Sequence, residues 1–360
     1  MQQAYTYGPV RDAVPQAAVD GSRLISFFIF NTDVHMHAYA SDEEDPADSV
    51  VVERLDAALA ACRDRCLFFE HAFSRTRPDS DIARAHEAAP DPVPVSPETA
   101  ELTRLALGYC ERSRGLFDVT MGTVTSLWDF HTGVVPSKLA LSRALPHVGY
   151  ERIVLGEAPG ADGRPRPTLA ITDPETILDL GGVAKGYIAD DLGGLLAERG
   201  VERYVLNLGG NVLVHGGRAG DPTAHPPVHA GAPWRIGIEN PLDPSHSRAI
   251  VDVADGSVVT SGICERRFTR GGVTYHHILD PRTGMPAVTD VTSATIVAPR
   301  SMDCDGYSTT ALMLGSQAAI DFIEGLPGIE AIVFTDRDEV LWTEGVGDRL
   351  SLIPTLPSLV

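Results

Sequence analysis

Two oxygen-bearing side chains four residues apart are the first candidates for chemistry in this sequence. Asp305 and Thr309 lie in a segment that predicts a helix from Asp305, so both would project from one face and could reach the same ion. A carboxylate and a hydroxyl are hard ligands that suit Mg²⁺, which takes phosphate oxygens as further ligands. An aspartate at a helix start is also a common cap, and the spacing leaves both interpretations open. Asp303 is the better candidate for the N-cap residue.

A glycine pair followed by a lysine is the second candidate. The apolar run 176–178 indicates a buried strand, and the spacing of apolar residues in 192–199 predicts a helix. Between them, Gly181 and Gly182 would let the backbone approach a ligand, and Lys185 would add a cation near the unpaired N–H groups of the helix start. This arrangement is typical of phosphate binding. A tight turn with a surface lysine fits the same residues.

A histidine supplies a group that can take up a proton near neutral pH. His277 lies in a predicted polar loop, with the carboxylate of Asp280 three residues further on. A single histidine is often structural, and the adjacent His276 shows that this chain also carries histidines without an evident role. The residues alone therefore leave His277 open between a base and a structural side chain.

Several short polar or glycine-containing segments could also contact a ligand. Each places a carboxylate, a hydroxyl or a glycine in or beside a predicted turn, so an ordinary turn or cap explains them equally well. Asp179 is expected to fix the glycine turn by accepting backbone N–H groups. The other segments are Asp118 with Thr120, the pair Gly209 and Gly210, and the run Thr260-Ser261-Gly262.

In order and spacing these motifs resemble the ApbE family, the FAD:protein FMN transferases. The resemblance runs from about Ser74 to about Gly315. It rests on the stretches Phe117–Gly122, Asp179–Asp190, Asn207–Asn211, His277–Gly284 and Asp305–Gly315. It implies a Mg²⁺-dependent enzyme with FAD as its substrate. FMN would pass from FAD to a threonine or serine hydroxyl of a partner flavoprotein, with release of AMP.

The resemblance also implies roles for residues at matching positions. The metal would be held by Asp305, Thr309 and the backbone carbonyl of Ala184, and His277 would be the base. His277, Asp305 and Lys185 are thus the expected catalytic residues. The expected FAD-binding residues are Asp118, Thr120, Asp179, Gly181, Gly182, Lys185, Gly209, Gly210, Thr260, Ser261, Gly262 and His277.

Two positions depart from the pattern of the family. Asn31-Thr32-Asp33 stands where a Met-Gly-Thr turn is usual, and His86 stands where asparagine is common. The second region helps to determine the fate of bound FAD in relatives. Two alternatives to transfer therefore stay open, an FAD pyrophosphatase that yields FMN and AMP, and a non-catalytic FAD-binding protein.

Composition narrows the class of protein. The 360 residues include 49 acidic and 29 basic side chains, a formal charge of −20. We find no local basic patch, so the surface is expected to repel nucleic acid and anionic lipid. The odd number of five cysteines predicts reduced thiols. Cys62 and Cys66 have no second pair at ligand spacing, which favours packing over metal binding.

No export signal or membrane span is expected. Residues 1–9 contain neither a basic region followed by an apolar one nor a cysteine that could accept a lipid. The longest apolar run, 24–30, is too short to span a bilayer. We therefore expect a cytoplasmic protein without membrane insertion, acting on an acceptor on the cytoplasmic side.

The order of predicted elements indicates an α+β fold. We expect a loose leader over 1–22, one ApbE-like domain over 23–350 and a tail over 351–360. Within the domain, helices should dominate in about 23–150 and strands in about 151–350. A helical lobe would then pack on a mixed, largely antiparallel sheet lobe, with the ligand cleft between them.

Overall fold

A computed structural model of the chain describes residues 9–220, 227–241 and 243–354, which contain eight α-helices and seventeen β-strands. The helices are α1 (Ser49–Phe73), α2 (Asp81–Ala88), α3 (Pro97–Arg112), α4 (Gly122–Thr125), α5 (Lys138–Ala144), α6 (Ala184–Glu198), α7 (Ser301–Leu314) and α8 (Ser316–Glu324). The strands are β1 (Gln16–Ala17), β2 (Arg23–Ile29), β3 (Thr32–Ala38), β4 (Val93–Pro94), β5 (Ile153–Pro159), β6 (Pro165–Ile171), β7 (Tyr204–Leu208), β8 (Asn211–His215), β9 (Trp234–Asn240), β10 (Asp243–Val253), β11 (Gly256–Gly262), β12 (Arg267–Arg270), β13 (Val273–His276), β14 (Val291–Ala298), β15 (Glu330–Thr335), β16 (Val340–Trp342) and β17 (Leu350–Leu352).

One nine-stranded sheet organises these elements, in the order β1-β2-β3-β7-β8-β11-β14-β15-β16. Every neighbouring pair in it is antiparallel. The predicted α+β class is confirmed. Strands β2 and β3 come from the helix-rich first part of the chain and pair with β7 from the second part. The two parts of the chain therefore share one sheet.

Side-chain alternation gives the sheet two buried faces. Val259 of β11 belongs to the larger core, which α1, α6 and α7 cover, whereas its neighbour Val258 belongs to a second core. That second core lies under a small sheet of β17, β10 and β9. Helices therefore cover one face of the large sheet and strands the other.

The run 176–178 does not form the predicted strand. Ile177 makes only an isolated bridge to Met121. Side chains take the backbone N–H groups instead, since Ile177 donates to Thr123 Oγ1 at 2.8 Å and Leu178 to His86 Nε2 at 2.9 Å. Hydrogen bonds to side chains thus replace a strand ladder, which the apolar pattern could not reveal.

Both terminal segments that were predicted to flank the domain contribute residues to strands, where the structure describes them. Of the leader over 1–22, residues 9–22 are described, and β1 in it pairs with β2 at the sheet edge. At the other end, β17 extends into the predicted tail as far as Leu352. Among the described residues, none of the helices combines the length and the apolar character needed to cross a bilayer.

Helices α6 and α7 cross at their first turns, where a glycine permits the contact. A Cβ atom on Gly186 would lie 2.5 Å from the carbonyl oxygen of Ser301. Any side chain at 186 would therefore push the start of α7 away. Gly194, in the same helix, is exposed and has no atom within 4 Å of such a Cβ.

These two glycines give a matched pair of substitutions. We expect Gly186→Ala to lower the free energy of unfolding by roughly 2 kcal/mol or more, because the new methyl group overlaps backbone. Gly194→Ala should raise it by about 0.5 to 1 kcal/mol, the ordinary gain of alanine over glycine in a helix. Urea unfolding monitored by circular dichroism measures both. Equal effects of the two variants would contradict the close crossing.

Candidate active site

The crossing of α6 and α7 carries two carboxylates that point in opposite directions. Asp305 of α7 accepts the backbone N–H of Gly186 at 2.6 Å. Asp190 of α6 accepts the N–H groups of Ser301 and Met302 at 2.7 and 3.0 Å. Each helix thus supplies a carboxylate to the N–H groups that the first turn of the other leaves unpaired.

The start of α7 differs from the prediction. The helix begins at Ser301, four residues before Asp305. Its N-cap residue is Arg300, whose side chain makes no capping hydrogen bond. Asp303 is therefore not the N-cap, and it accepts the Tyr109 hydroxyl at 2.5 Å. Asp190 caps the helix instead. It comes from a distant part of the chain, so a local sequence pattern cannot reveal this cap.

Asp305 is a buried acid with few favourable charges around it. Its residue is 5% exposed, and burial raises the pKa of its carboxyl. The positive charge of Lys185, the N–H of Gly186 and the side chain of Asn211 oppose this rise in pKa. A cation placed beside this carboxylate would lower its pKa further.

Asn211 is a site residue that the sequence analysis missed. It is completely buried, and its Oδ1 accepts the Ser301 hydroxyl at 2.6 Å. Its Nδ2 is buried and has no hydrogen-bond partner among the described residues. The preceding Gly209 and Gly210 form the β7–β8 turn with φ of 64° and 88°. The positive φ angles of the turn explain why glycines stand at both positions. The residue that lies near Asp305 is Asn211, which follows them.

The end of β11 meets α7 next to Thr309. Ser261 Oγ lies 2.8 Å from Ser308 Oγ and 3.4 Å from Thr309 Oγ1. The adjacent Thr260 points to the opposite face, as alternation requires, and pairs with Thr295 at 2.8 Å. The structure thus brings Ser261 of the predicted run towards Thr309 and turns Thr260 away.

The glycine turn before α6 is held as predicted. Asp179 Oδ1 accepts the N–H of Gly181 at 2.9 Å, and its Oδ2 lies 3.4 Å from Arg75 Nε. Gly182 packs closely on Phe117, since a Cβ there would lie 3.1 Å from the ring and would press on it. Both glycines are exposed, so their backbone is open to a ligand. Helix α6 begins directly afterwards, eight residues earlier than predicted, without a side-chain cap at Val183.

His86 stabilises this turn through a hydrogen bond to the residue before Asp179. Its Nε2 accepts the N–H of Leu178, the residue before Asp179. Burial lowers the pKa of His86, the charge of Arg75 lowers it further, and Asp179 opposes both. A neutral imidazole is needed here because only the unprotonated nitrogen can accept.

The side chains of Asp118 and Thr120 make hydrogen bonds within the protein. Asp118 Oδ1 accepts both the N–H and the hydroxyl of Thr120, at 2.7 and 2.6 Å, and Oδ2 accepts the N–H of Tyr150 at 3.1 Å. Thr120 Oγ1 in turn accepts the N–H of Gly149 at 2.8 Å. Both residues are buried. Of the two interpretations left open by the sequence, these bonds favour the capping role.

His277 lies where β13 ends. The pKa of its imidazole is lowered to about 4. Burial is the largest cause, and the positive charges of Arg266 and, more weakly, Lys185 also lower it. The Nδ1 of His277 is buried and has no hydrogen-bond partner among the described residues, and the ring faces Phe130 edge-on, with centroids 6.5 Å apart. Asp280 is not its partner, since that carboxylate binds Arg282 at 2.7 Å. Lys185 thus acts electrostatically on both His277 and Asp305.

Comparison with known proteins identifies the family of this chain. The sequence profile described as the ApbE family matches residues 30–333. The chain belongs to the ApbE family. A Treponema pallidum protein named FAD:protein FMN transferase is 35% identical over 292 residues, which are 79% of this chain and 78% of that protein. A Klebsiella pneumoniae protein with the same name is 30% identical over 278 residues, 76% of this chain and 74% of that one.

Solved structures of ApbE proteins share the fold. The crystal structure of the ApbE protein from Thermotoga maritima superposes with a TM-score of 0.73 at 25% identity, over 90% of this chain and 97% of that one. The flavin transferase ApbE from Vibrio cholerae gives a TM-score of 0.72 at 24% identity, over 90% and 98% of the two chains. The sheet and the helix crossing of this ApbE protein thus belong to a known architecture.

The oxygen atoms around Asp305 fit a hard divalent cation. Within the residues that the structure describes, no group of three or more His, Cys, Asp or Glu side chains could hold a metal ion. A metal held by Asp305 would need hydroxyl, carbonyl and substrate oxygens besides this one carboxylate, a ligand set of the kind that Mg²⁺ accepts. Asp305 supplies the carboxylate and Thr309 a hydroxyl, and Ala184 lies two residues before Gly186, whose N–H binds Asp305.

The pKa of His277 provides a test of this geometry. We expect Arg266→Ala to raise the pKa of His277 above about 4, since removing a neighbouring positive charge favours the imidazolium. NMR titration of the imidazole protons measures the change. Arg267→Ala, one residue further along the chain and on the other face of the strand, is the control and should leave the pKa unchanged. A larger shift in the control would contradict the described orientation.

Proposed function

We propose that this ApbE protein transfers the FMN part of FAD to a threonine or serine hydroxyl of an acceptor protein and releases AMP. The observation that carries the proposal is the position of Lys185. This cation stands in the first turn of α6 and acts on both a buried carboxylate, Asp305, and a largely buried imidazole, His277. The names of the relatives support the same reaction.

The diphosphate of FAD would lie against the start of α6. The exposed turn of Gly181 and Gly182 offers backbone N–H groups, and the helix start adds the positive end of its dipole. Lys185 adds a positive charge at this point of a protein whose formal charge is −20. These groups would orient the phosphates without relying on many basic side chains.

Mg²⁺ would be held by Asp305, Thr309 and the carbonyl of Ala184. When bound, it would supply polarisation of the phosphoryl oxygens and offset the charge that develops on departing AMP. The buried position of Asp305 suits this role, because a cation would stabilise its ionised form.

His277 would act as the base. Its depressed pKa keeps the imidazole unprotonated at neutral pH, and an unprotonated ring nitrogen can accept the proton of the acceptor hydroxyl. The hydroxyl oxygen then forms a bond to the phosphorus of the FMN unit, and the bond from that phosphorus to the bridging oxygen breaks. AMP leaves with the electron pair, and the acceptor carries FMN through a phosphoester.

The two alternatives, FAD pyrophosphatase and FAD-binding protein, are separated by one assay. The protein is incubated with FAD and Mg²⁺, and AMP is followed with and without an acceptor. Release that requires the acceptor, with FMN attached to it, supports transfer. Equal release without acceptor indicates hydrolysis, and no release under either condition indicates binding alone.

Removing the charge of Asp305 should abolish the response to Mg²⁺. Asp305→Asn keeps an oxygen that can accept the Gly186 N–H but removes the negative charge, so AMP release should fall at least about 100-fold and no longer rise with Mg²⁺. Asp303→Asn, in the same helix turn, is the control and should retain the Mg²⁺ dependence. Normal turnover of Asp305→Asn would remove the metal assignment.

Replacing the base should affect the rate more than the binding. We expect His277→Ala to lower kcat by about 10² to 10⁴ with little change in FAD affinity, because the lost group acts on the acceptor proton. FAD affinity is measured by flavin fluorescence and kcat by AMP release. His276→Ala, at the adjacent buried position, should reduce stability but keep kcat. A large loss of FAD affinity with a normal kcat in His277→Ala would make His277 a ligand contact.

A further inference from the structure

A buried amide group without a partner lies beside the candidate metal site. The side chain of Asn211 is completely buried, and its Nδ2 has no hydrogen-bond partner among the described residues. An unpaired donor in a protein interior is costly, because water cannot take the place of the missing acceptor. We therefore looked for an acceptor close to Nδ2.

Hydroxyl groups hold the other end of this amide. Ser301 Oγ donates to Asn211 Oδ1 at 2.6 Å. Ser257 Oγ lies 2.8 Å from Ser301 Oγ and also 2.8 Å from the carbonyl oxygen of Val212. Because these hydroxyl groups hold Oδ1, the Nδ2 group must point away from Ser301.

Asp305 is the acceptor that this direction favours. Ser301 and Asp305 are four residues apart in α7, so their side chains lie on one face of the helix, one turn from each other. Asn211 binds the first of them and lowers the pKa of the second, as a hydrogen-bond donor does. The N–H of Gly186 already donates to Asp305 Oδ2 at 2.6 Å. Asn211 and Gly186 are both neutral donors, so they can orient the carboxylate without a positive charge that would repel a metal ion.

We propose that Asn211 is a positioning residue for the metal ion, whose Nδ2 donates to the Asp305 carboxylate and fixes the direction in which that carboxylate meets the ion. This inference rests on the proposed function and adds a residue to its metal site. Hydrogen-bond partners of metal ligands act in this way in other proteins, and their loss weakens metal binding by about 10- to 100-fold. Asn211 itself would contact neither the ion nor FAD.

Binding of Mn²⁺ tests this role without any turnover. Mn²⁺ accepts the same oxygen ligands as Mg²⁺, and the EPR signal of the free ion measures how much is bound. The protein is titrated alone and with FAD, without an acceptor. We expect Asn211→Ala to lower the Mn²⁺ affinity roughly tenfold or more in both conditions. FAD affinity in EDTA, measured by flavin fluorescence, should be unchanged, because Asn211 does not contact FAD.

A double substitution tests whether Asn211 acts through Asp305. In Asp305→Asn, which lacks the charged ligand, adding Asn211→Ala should cause no further loss of Mn²⁺ affinity. Ser301→Ala keeps the amide but removes the hydroxyl that holds Oδ1. Its Mn²⁺ affinity should fall by a smaller factor than that of Asn211→Ala.

Thr343→Ala is the control for a general loss of stability. Thr343 is completely buried, as Asn211 is, and its Oγ1 accepts the N–H of Ala331 at 3.0 Å, outside the candidate site. We expect its Tm to fall and its Mn²⁺ affinity to equal that of the wild type.

Four results would overturn the proposal. They are a wild-type Mn²⁺ affinity of Asn211→Ala or of Ser301→Ala, an additive loss in the double substitution, a loss of Mn²⁺ affinity in Thr343→Ala as large as in Asn211→Ala, and a fall in FAD affinity of Asn211→Ala in EDTA. The last would make Asn211 a contact of FAD.

Failure of the proposed function is a different outcome. In that case no AMP would form with any acceptor, whereas the order of Mn²⁺ affinities among the variants would persist. Conversely, AMP release that requires the acceptor, together with a wild-type Mn²⁺ affinity of Asn211→Ala, would leave the transfer reaction without this positioning residue.

Discussion

Two helices begin side by side in this protein, and each receives a carboxylate from the other. Asp305 of α7 binds the first turn of α6, and Asp190 of α6 binds the first turn of α7. Burial raises the pKa of Asp190 to about 6, so its ionised form is costly in this place. The hydrogen bonds to unpaired helix N–H groups offset part of that cost. Gly186 permits the crossing, because no side chain fits between the two backbones.

The candidate site lies at this helix crossing. Since Asp305 is needed at the start of α6, it is also close to Lys185, which follows directly from the glycine turn. The strand ends that reach the crossing add neutral polar groups, Asn211 from β8 and Ser261 from β11. A buried acid, one cation and several hydroxyl or amide groups thus meet where elements from distant parts of the chain end. It is here that we propose the doubly charged diphosphate of FAD binds.

The glycine pairs at 181 and 209 are similar in sequence, but they serve different purposes. Gly182 leaves room for an aromatic ring beside an exposed turn, whereas Gly209 takes a positive φ in a hairpin. The apolar run before the first pair was predicted as a strand and is not one, because hydroxyl and imidazole groups take its N–H groups. Local patterns cannot register such long-range bonds.

The sequence by itself determined the fold class, the family and the types of residue that meet at the site, because periodicity, turn chemistry and motif order are local properties of the chain. It also correctly predicted the bond from Asp179 to the glycine turn, which spans two residues. Only the tertiary structure decided that Asp190 caps α7, that Asn211 lies near Asp305, and that Arg266 lies opposite His277. These relations depend on helix crossing and strand register, which bring together residues that are far apart in sequence.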